Sequence, residues 1–332
     1  MTTTAKAVRA TRREGLASRV QTANRWLGIG LIVLGAGVAT SSILGPSVAD
    51  AIRYHTSADM VNQIIGGDIV ALFLVAPVSI LAGILALRGH PAAPVISIGP
   101  AIFAAYTYTQ LALGGDFLGY PGNSERFFLL DLGLFMLGTA MAVTSWTMME
   151  TRQLPRMSRR FDRTLSIFLL AVAGFLVLGL HLPGLVDTWR SEPTALEYLN
   201  TPTPFWLVKF MDLGIVVPAL IVIAIGTLRN ARWAEKAKYS AIGWVALLGS
   251  SVAAMAIVML AKDDPSASAA TTIVFGAFAA LAVAMALRAY WPHIRGGHVG
   301  AVPTGERRPD ESRSIVRRDG DDRARLRHRA ST

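Results

Sequence analysis

The sequence predicts an all-α, polytopic membrane protein with eight transmembrane helices in a tandem 4+4 parallel repeat and with both termini in the cytoplasm. Three observations predict this fold: the composition, the number and length of the apolar runs, and the distribution of basic residues. Of the 332 residues, 52% are hydrophobic and 16% are charged, whereas soluble domains carry about 25% charged residues. The chain contains no cysteine, which excludes disulfide scaffolds, thiol catalysis and cysteine-bound metal clusters.

Eight apolar runs are each long enough to cross a bilayer, whose hydrocarbon core of about 30 Å requires roughly 20 helical residues. In chain order, spans 1 to 8 are predicted at 26–45, 62–87, 92–113, 127–148, 164–185, 205–228, 239–261 and 270–291. The runs lack the period-two alternation of outer-membrane barrel strands, so they are predicted to be helices.

The basic residues predict the orientation of these spans. Clusters of lysine and arginine precede span 1, separate spans 4 and 5, separate spans 6 and 7, and follow span 8, while the remaining loops are mainly acidic. Because cytoplasmic loops are enriched in basic residues, both termini are predicted to be cytoplasmic, which requires an even number of spans. We therefore expect a multi-pass protein of the cell (inner) membrane, and the abundance of alanine, glycine and arginine suggests a bacterial source.

Composition divides the chain into five segments. They are a basic cytoplasmic N-terminal segment at 1–25, a four-helix membrane repeat at 26–148, a basic cytoplasmic linker at 149–163, a second four-helix membrane repeat at 164–291 and an Arg-rich cytoplasmic tail at 292–332. The tail lacks apolar periodicity and is predicted to be disordered. Besides the lipid bilayer, the predicted partners of the basic tails are anionic lipid headgroups, so the basic charge balance requires no nucleic acid.

Spans 2 and 6 share a pattern that predicts an internal duplication. Each contains a mid-span proline, Pro77 or Pro218, and each ends at the same distance beyond it with Leu-Arg, at Arg88 or Arg229. The two copies are offset by about 140 residues, and an even number of spans per copy relates them by a pseudo-two-fold axis along the membrane normal. The alternative is a chance recurrence of Leu, Val and Pro in a hydrophobic sequence.

Proline and glycine predict local backbone features within the spans. Pro77 and Pro218 each remove a helical hydrogen bond and predict helix kinks, which serve either as hinges or only as packing features. Small residues that predict close helix packing occur in spans 1 and 8, at Gly28, Gly30, Gly35, Gly37, Gly276, Ala280 and Ala284.

Three aspartates within the spans are the first candidate ligand- or ion-binding residues. Asp68, Asp131 and Asp212 lie a few residues after the predicted outer ends of spans 2, 4 and 6. Acidic side chains within a bilayer are costly and often mark functional sites. Spans 3 and 5 place further candidate polar groups at a similar depth, namely Tyr106, Gln110 and His181. The pattern predicts an acidic, water-accessible vestibule that opens away from the cytoplasm.

Each aspartate also has a purely structural interpretation, because its side chain can reach the membrane interface. Lys209 lies on the same helical face as Asp212 and can neutralise it. If the aspartates converge, their mutual repulsion favours a bound cation or a shared proton. A metal held by the carboxylates and His181 is chemically allowed. No cofactor is predicted, because the sequence has no metalloprotease, Walker A, dinucleotide-binding or nucleophile-elbow motif.

The predicted function is that of a carrier or binding protein for a small solute or cation. Two alternatives stay open on the sequence alone. One is a membrane-embedded enzyme acting on a lipid or envelope precursor at the outer leaflet, with an aspartate and His181 or Tyr106 in acid–base roles. That enzyme requires a lateral opening between helices and a groove for acyl chains. The other alternative is a non-catalytic sensor or assembly subunit, which predicts tight packing and no cavity.

Overall fold

The computed structural model describes residues 2–295 except 152, 153 and 156, and within these ranges the chain is helical without β-strands. The predicted tail beyond residue 295 lies outside the described residues. Eight long helices follow one another: α1 Thr2–Leu44, α2 Ala58–Leu87, α3 Ala93–Leu113, α4 Ser124–Met148, α5 Arg159–Asp187, α6 Pro202–Leu228, α7 Ala234–Ala261 and α8 Ala269–Arg295. They coincide in order with the eight predicted spans, and a short helix at Leu196–Asn200 precedes α6.

Seven of these helices are long and apolar enough to cross a membrane, which is consistent with a membrane-embedded protein that has several spans. The exception is α3, which is long enough at 21 residues. It contains Pro100 and carries Tyr106, Thr109 and Gln110 near its end, so it is less apolar than the others. Because neighbouring helices cover much of α3, its surface does not need to match the polarity of lipid.

Glycines allow the central helices to approach each other closely. The backbones of α3 and α7 meet where Gly99 lies against Gly243. Gly66 of α2 lies against the backbone of Met255 in α7, so a side chain at Gly66 would collide with main-chain atoms. Since each of α2 and α3 packs directly on α7, α7 joins the first half of the chain to the second.

The prediction of close packing by the glycines of span 1 is confirmed. Two of them pack against α2, while Gly30 and Gly37 are covered by the side chains of Met141 and Leu134 on α4. The prediction for Gly276 in span 8 is wrong, because a Cβ atom there would meet nothing within 4 Å. Helix α8 packs mainly along α7, and that packing leaves the Gly276 face uncovered.

Both mid-span prolines follow a widened helical turn. A π-helical turn at Ala71–Val75 in α2 and another at Asp212–Val216 in α6 end just ahead of Pro77 and Pro218. Proline cannot donate the helical hydrogen bond and its ring crowds the preceding turn, so a wider turn accommodates it. A third π-helical turn, Phe175–His181, lies in α5. The kinks themselves stay a prediction.

Hydrogen bonds join the connections at one end of the bundle. The backbone N–H of Asp116 donates to the carbonyl oxygen of His55 over 2.8 Å, and the hydroxyl of Tyr120 donates to the carbonyl oxygen of Asn200 over 2.9 Å. These bonds link the α1–α2, α3–α4 and α5–α6 connections. We call this end the acidic end; its connections are 45–57, 114–123, 188–201 and 262–268.

The opposite end of the bundle, which we call the basic end, contains a buried ion-pair cluster. Lys238 of α7 is 1% exposed, and its Nζ lies 2.9 Å from Oδ1 of Asp162 in α5 and 2.8 Å from Oε2 of Glu235. Two carboxylates around one ammonium offset the cost of burying its charge. This cluster ties α5 to α7 below the level of the cavity described next.

Candidate functional site

A cavity of about 460 Å³ lies among helices α2, α3, α5, α6, α7 and α8, and this volume is typical of small-molecule sites. It extends from His55 and Ser266 at the acidic end to Leu220 and Ala282 toward the middle of the bundle. Its lining residues therefore come from both halves of the chain.

The polar part of the lining is negatively charged. Four carboxylate side chains contribute to it, those of Asp59, Asp68, Glu197 and Asp212. Among the described residues that line the cavity there is no lysine or arginine. The basic residue of the described lining is His55, so a molecule in this part of the cavity meets mainly carboxylates.

The deeper part of the cavity is apolar. Four aromatic rings from α5 and α8 line it, those of Phe168, Phe175, Phe275 and Phe278. Aliphatic side chains of α6 and α7 complete the wall, among them Val216 and Leu248. The cavity is thus amphipathic, with carboxylates toward the acidic end and hydrocarbon further in.

Asp212 is the centre of a buried hydrogen-bonded group. The hydroxyl of Tyr106 in α3 donates to Asp212 Oδ1 over 2.5 Å, and Nε2 of His181 in α5 lies 2.8 Å from Asp212 Oδ2. Asp212 begins the π-helical turn of α6 and His181 ends that of α5, an irregularity often found at functional sites. Nδ1 of His181 is buried without a hydrogen-bond partner.

Lys209 lies beside this group and shares its burial. Its Nζ is 3.5 Å from the ring centroid of Phe205 and 3.9 Å from Oε2 of Glu197. It is also close enough to Asp212 for their charges to interact. The sequence interpretation that Lys209 offsets Asp212 therefore agrees with the geometry, and Asp212 is paired by protein groups on several sides.

Asp68 and Asp131 form a second group, around Tyr54. Burial and the charges of both carboxylates raise the pKa of the Tyr54 hydroxyl well above its ordinary value of 10.0. Asp68 is 7% exposed and Asp131 is 2% exposed. Asp68 Oδ2 and Asp131 Oδ1 are buried without hydrogen-bond partners, and no ion pair in the described part of the chain includes either residue.

The six candidate residues therefore do not form a single cluster. They also differ in whether they line the cavity or lie behind its wall. Four of them line the cavity: Asp68, Tyr106, Gln110 and Asp212. The remaining two, Asp131 and His181, lie behind the cavity wall, each close to one of the lining aspartates. Within the described ranges no group of three or more His, Cys, Asp or Glu side chains is arranged to hold a metal ion, so the three aspartates and His181 do not meet at one point.

Sequence reasoning missed three residues of the cavity lining, namely Trp244, Tyr54 and His55. Trp244 of α7 lines the cavity, its indole Nε1 is buried without a partner, and its ring meets that of Tyr106 edge-on at 5.6 Å. The available signal was a tryptophan more than one helical turn inside a predicted span, since tryptophan is enriched at the interface. Tyr54 lies in a connection outside the predicted spans, so hydropathy gave no reason to consider it.

His55 lies at the mouth of the cavity and was also missed. Its Nε2 is 2.7 Å from Oε2 of Glu125, and its Nδ1 is 2.7 Å from the carbonyl oxygen of Tyr120. The hydrogen bond with Glu125 raises the pKa of His55 above its ordinary value of 6.5, because a carboxylate favours the protonated ring. His55 thereby holds the α3–α4 connection at the rim.

Comparisons with known proteins give no relative for this arrangement. No family model, no curated protein and no solved structure matches the chain.

Proposed function

We propose that this protein is a carrier or binding protein for a small cationic solute, which occupies the polar part of the cavity. The observation that carries this proposal is the lining, with four carboxylates and, among its described residues, no lysine or arginine. Carboxylates disfavour an anion there and favour a cation, above all at Asp59 and Asp68, because Lys209 lies beside Glu197 and Asp212.

Asp68 is the residue proposed to contact the cation directly. Asp212 already has Tyr106, His181 and Lys209 around it, whereas one Asp68 oxygen has no partner. Ser42 and Ser47 lie within hydrogen-bonding reach of the Asp68 carboxylate, but a buried oxygen without a partner is costly, and a cation bound to Asp68 would lower that cost. Asp131 lies behind the wall and places a second carboxyl group near the same tyrosine, Tyr54.

We further propose that α3 is an eighth span and that the chain is a tandem 4+4 repeat with both termini on the cytoplasmic side. The matched π-helical turns ahead of Pro77 and Pro218 support the duplication. Helix packing supports it as well, because α1 packs on α2 as α5 packs on α6, and α3 packs on α4 as α7 packs on α8. Parallel repeats with a site at their interface are typical of carriers.

The test is cation binding to the purified protein in lipid nanodiscs, with tetramethylammonium as the probe in isothermal titration calorimetry. We expect binding by the wild type and a loss of about tenfold or more in affinity in Asp68→Asn, since a contact to a charged group is removed. The matched control is Asp263→Asn, the same change in an exposed acid outside the cavity, which should bind normally. Equal affinity in Asp68→Asn and Asp263→Asn would overturn the proposal.

A membrane-embedded enzyme is the second candidate, and one observation favours it. The Tyr106–Asp212–His181 chain is an arrangement that can move a proton, and two of its members line the cavity. Its test is a change in the mass spectrum of membrane lipids incubated with wild type but not with Asp212→Asn. The cavity itself argues against the sensor hypothesis, which predicts a packed interior.

A further inference from the structure

The two halves of the chain differ at one helix pair. In the first half, α1 packs closely on α4, with Met141 and Leu134 filling the spaces over Gly30 and Gly37. In the second half, no comparable backbone packing joins α5 and α8 within the described residues. Gly174 of α5 lies where repeat spacing puts the counterpart of Gly37, and a Cβ there would meet nothing within 4 Å.

Aromatic side chains bridge the space between α5 and α8 at this depth. The ring centroids of Phe168 and Phe278 are 6.3 Å apart, and Phe175 lies 5.3 Å from Phe278 and 5.8 Å from Phe275. All four rings also line the cavity. The same four rings therefore line the cavity and bridge α5 and α8, so rotation of these rings would change the barrier between the cavity and the surroundings without moving a helix.

The outer surface beside this wall is apolar. Ile167 and Leu178 of α5 and Ile273 and Val274 of α8 have large exposed fractions, between 40% and 71%. In a membrane such a surface faces hydrocarbon, so the gap leads from the cavity to lipid rather than to water.

We propose that α5 and α8 form a lateral portal through which a cationic amphiphile, with an amine-type headgroup and an alkyl chain, passes from the bilayer into the cavity. The inference rests on the proposed function, because the headgroup is the cation held at Asp68. The alkyl chain would lie against the four phenylalanines. Two residues of the lining, Asp68 and Trp244, each have a buried polar atom without a hydrogen-bond partner, and they mark the proposed headgroup end. Charge selects a cation over a fatty acid of the same chain length.

The first experiment measures equilibrium binding in zwitterionic nanodiscs, with binding to empty nanodiscs subtracted. The probes are tetramethylammonium, hexyltrimethylammonium and decyltrimethylammonium, with decanoate as the anionic control. We expect the affinity of the ammonium probes, calculated from their aqueous concentration, to rise about tenfold for every two methylenes in the alkyl chain. Decanoate should not compete with them. If tetramethylammonium binds but chain length adds nothing, the proposed function stands and the amphiphile inference fails. If decyltrimethylammonium binds and tetramethylammonium does not, the small-cation proposal fails instead.

The second experiment tests the route, and the absence of native cysteine makes it practical. Phe175→Cys and Phe275→Cys are combined and bridged with a bifunctional thiol reagent that is cleaved by reduction. Bridging should slow decyltrimethylammonium binding by about tenfold or more, leave the rate for tetramethylammonium unchanged, and be reversed by cleavage. The matched control bridges Gly30→Cys to Met141→Cys, which joins α1 to α4 and should leave both rates unchanged. Bridging that slows both probes, or neither, would overturn the portal.

Discussion

The hydrogen bond from Tyr106 to Asp212 should contribute measurably to stability, and Tyr106→Phe isolates its contribution. The substitution removes only the hydroxyl and keeps the ring contact with Trp244 at 5.6 Å. The bond is 2.5 Å long, and Asp212 is only 5% exposed, which limits the access of water that could replace the lost donor. A hydrogen bond to a charged group contributes about 1.5–3 kcal/mol, and a neutral bond about 0.5–1.5 kcal/mol.

We therefore expect Tyr106→Phe to lower the free energy of unfolding by about 2 kcal/mol. The matched control is Tyr290→Phe, whose hydroxyl donates to the neutral carbonyl oxygen of Tyr239 over 2.8 Å, with an expected loss of about 1 kcal/mol. The measurement is reversible unfolding in mixed micelles with sodium dodecyl sulfate, followed by circular dichroism.

A double-mutant cycle then assigns the loss to the carboxylate. In the Asp212→Asn background the bond becomes neutral, so Tyr106→Phe should cost about 1 kcal/mol less than in the wild type. The reasoning is refuted if Tyr106→Phe costs no more than Tyr290→Phe and if its cost is the same in the wild-type and Asp212→Asn backgrounds. In that case Asp212 does not act as a charged acceptor.

Three further predictions concern packing, pH and topology. Gly66→Val should destabilise the protein by about 3 kcal/mol or prevent folding, because the added atoms meet the backbone of Met255. The control is Gly133→Val, at a site where a Cβ atom meets nothing within 4 Å. It should be tolerated in the same unfolding assay. Because the pKa of His55 is raised, its contact with Glu125 stabilises the folded protein fully below pH 6.5, and this stabilisation is lost as the pH rises through the raised pKa. His55→Gln should abolish that part of the pH dependence of the free energy of unfolding. An unchanged pH profile in His55→Gln would contradict the prediction. Reporter fusions at the two termini should both give cytoplasmic signals, whereas seven spans would place the termini on opposite sides.

Sequence reasoning was sufficient for the helices because a bilayer sets a simple requirement. Runs of about 20 apolar residues predicted the eight long helices, and seven of these meet the length and composition needed to cross a membrane. For α3 the requirement weakens, because other helices cover it and its prolines and polar side chains meet protein. Hydropathy measures what lipid would require, so it is least informative for the helix with the least contact with lipid.

The chain by itself determined the membrane-embedded helical class, the helix order and the polar residues that merit testing, since each depends on local composition. It did not determine how those residues group. Asp131 and Asp68 lie near each other beside Tyr54, while Asp212 lies with Tyr106 and His181. Only the packing of helices distant in sequence decides which side chains meet, and that packing depends on close approaches such as that of Gly99 and Gly243. The same packing keeps the backbones of α5 and α8 apart. The hydrophobic periodicity of neither helix predicts that separation.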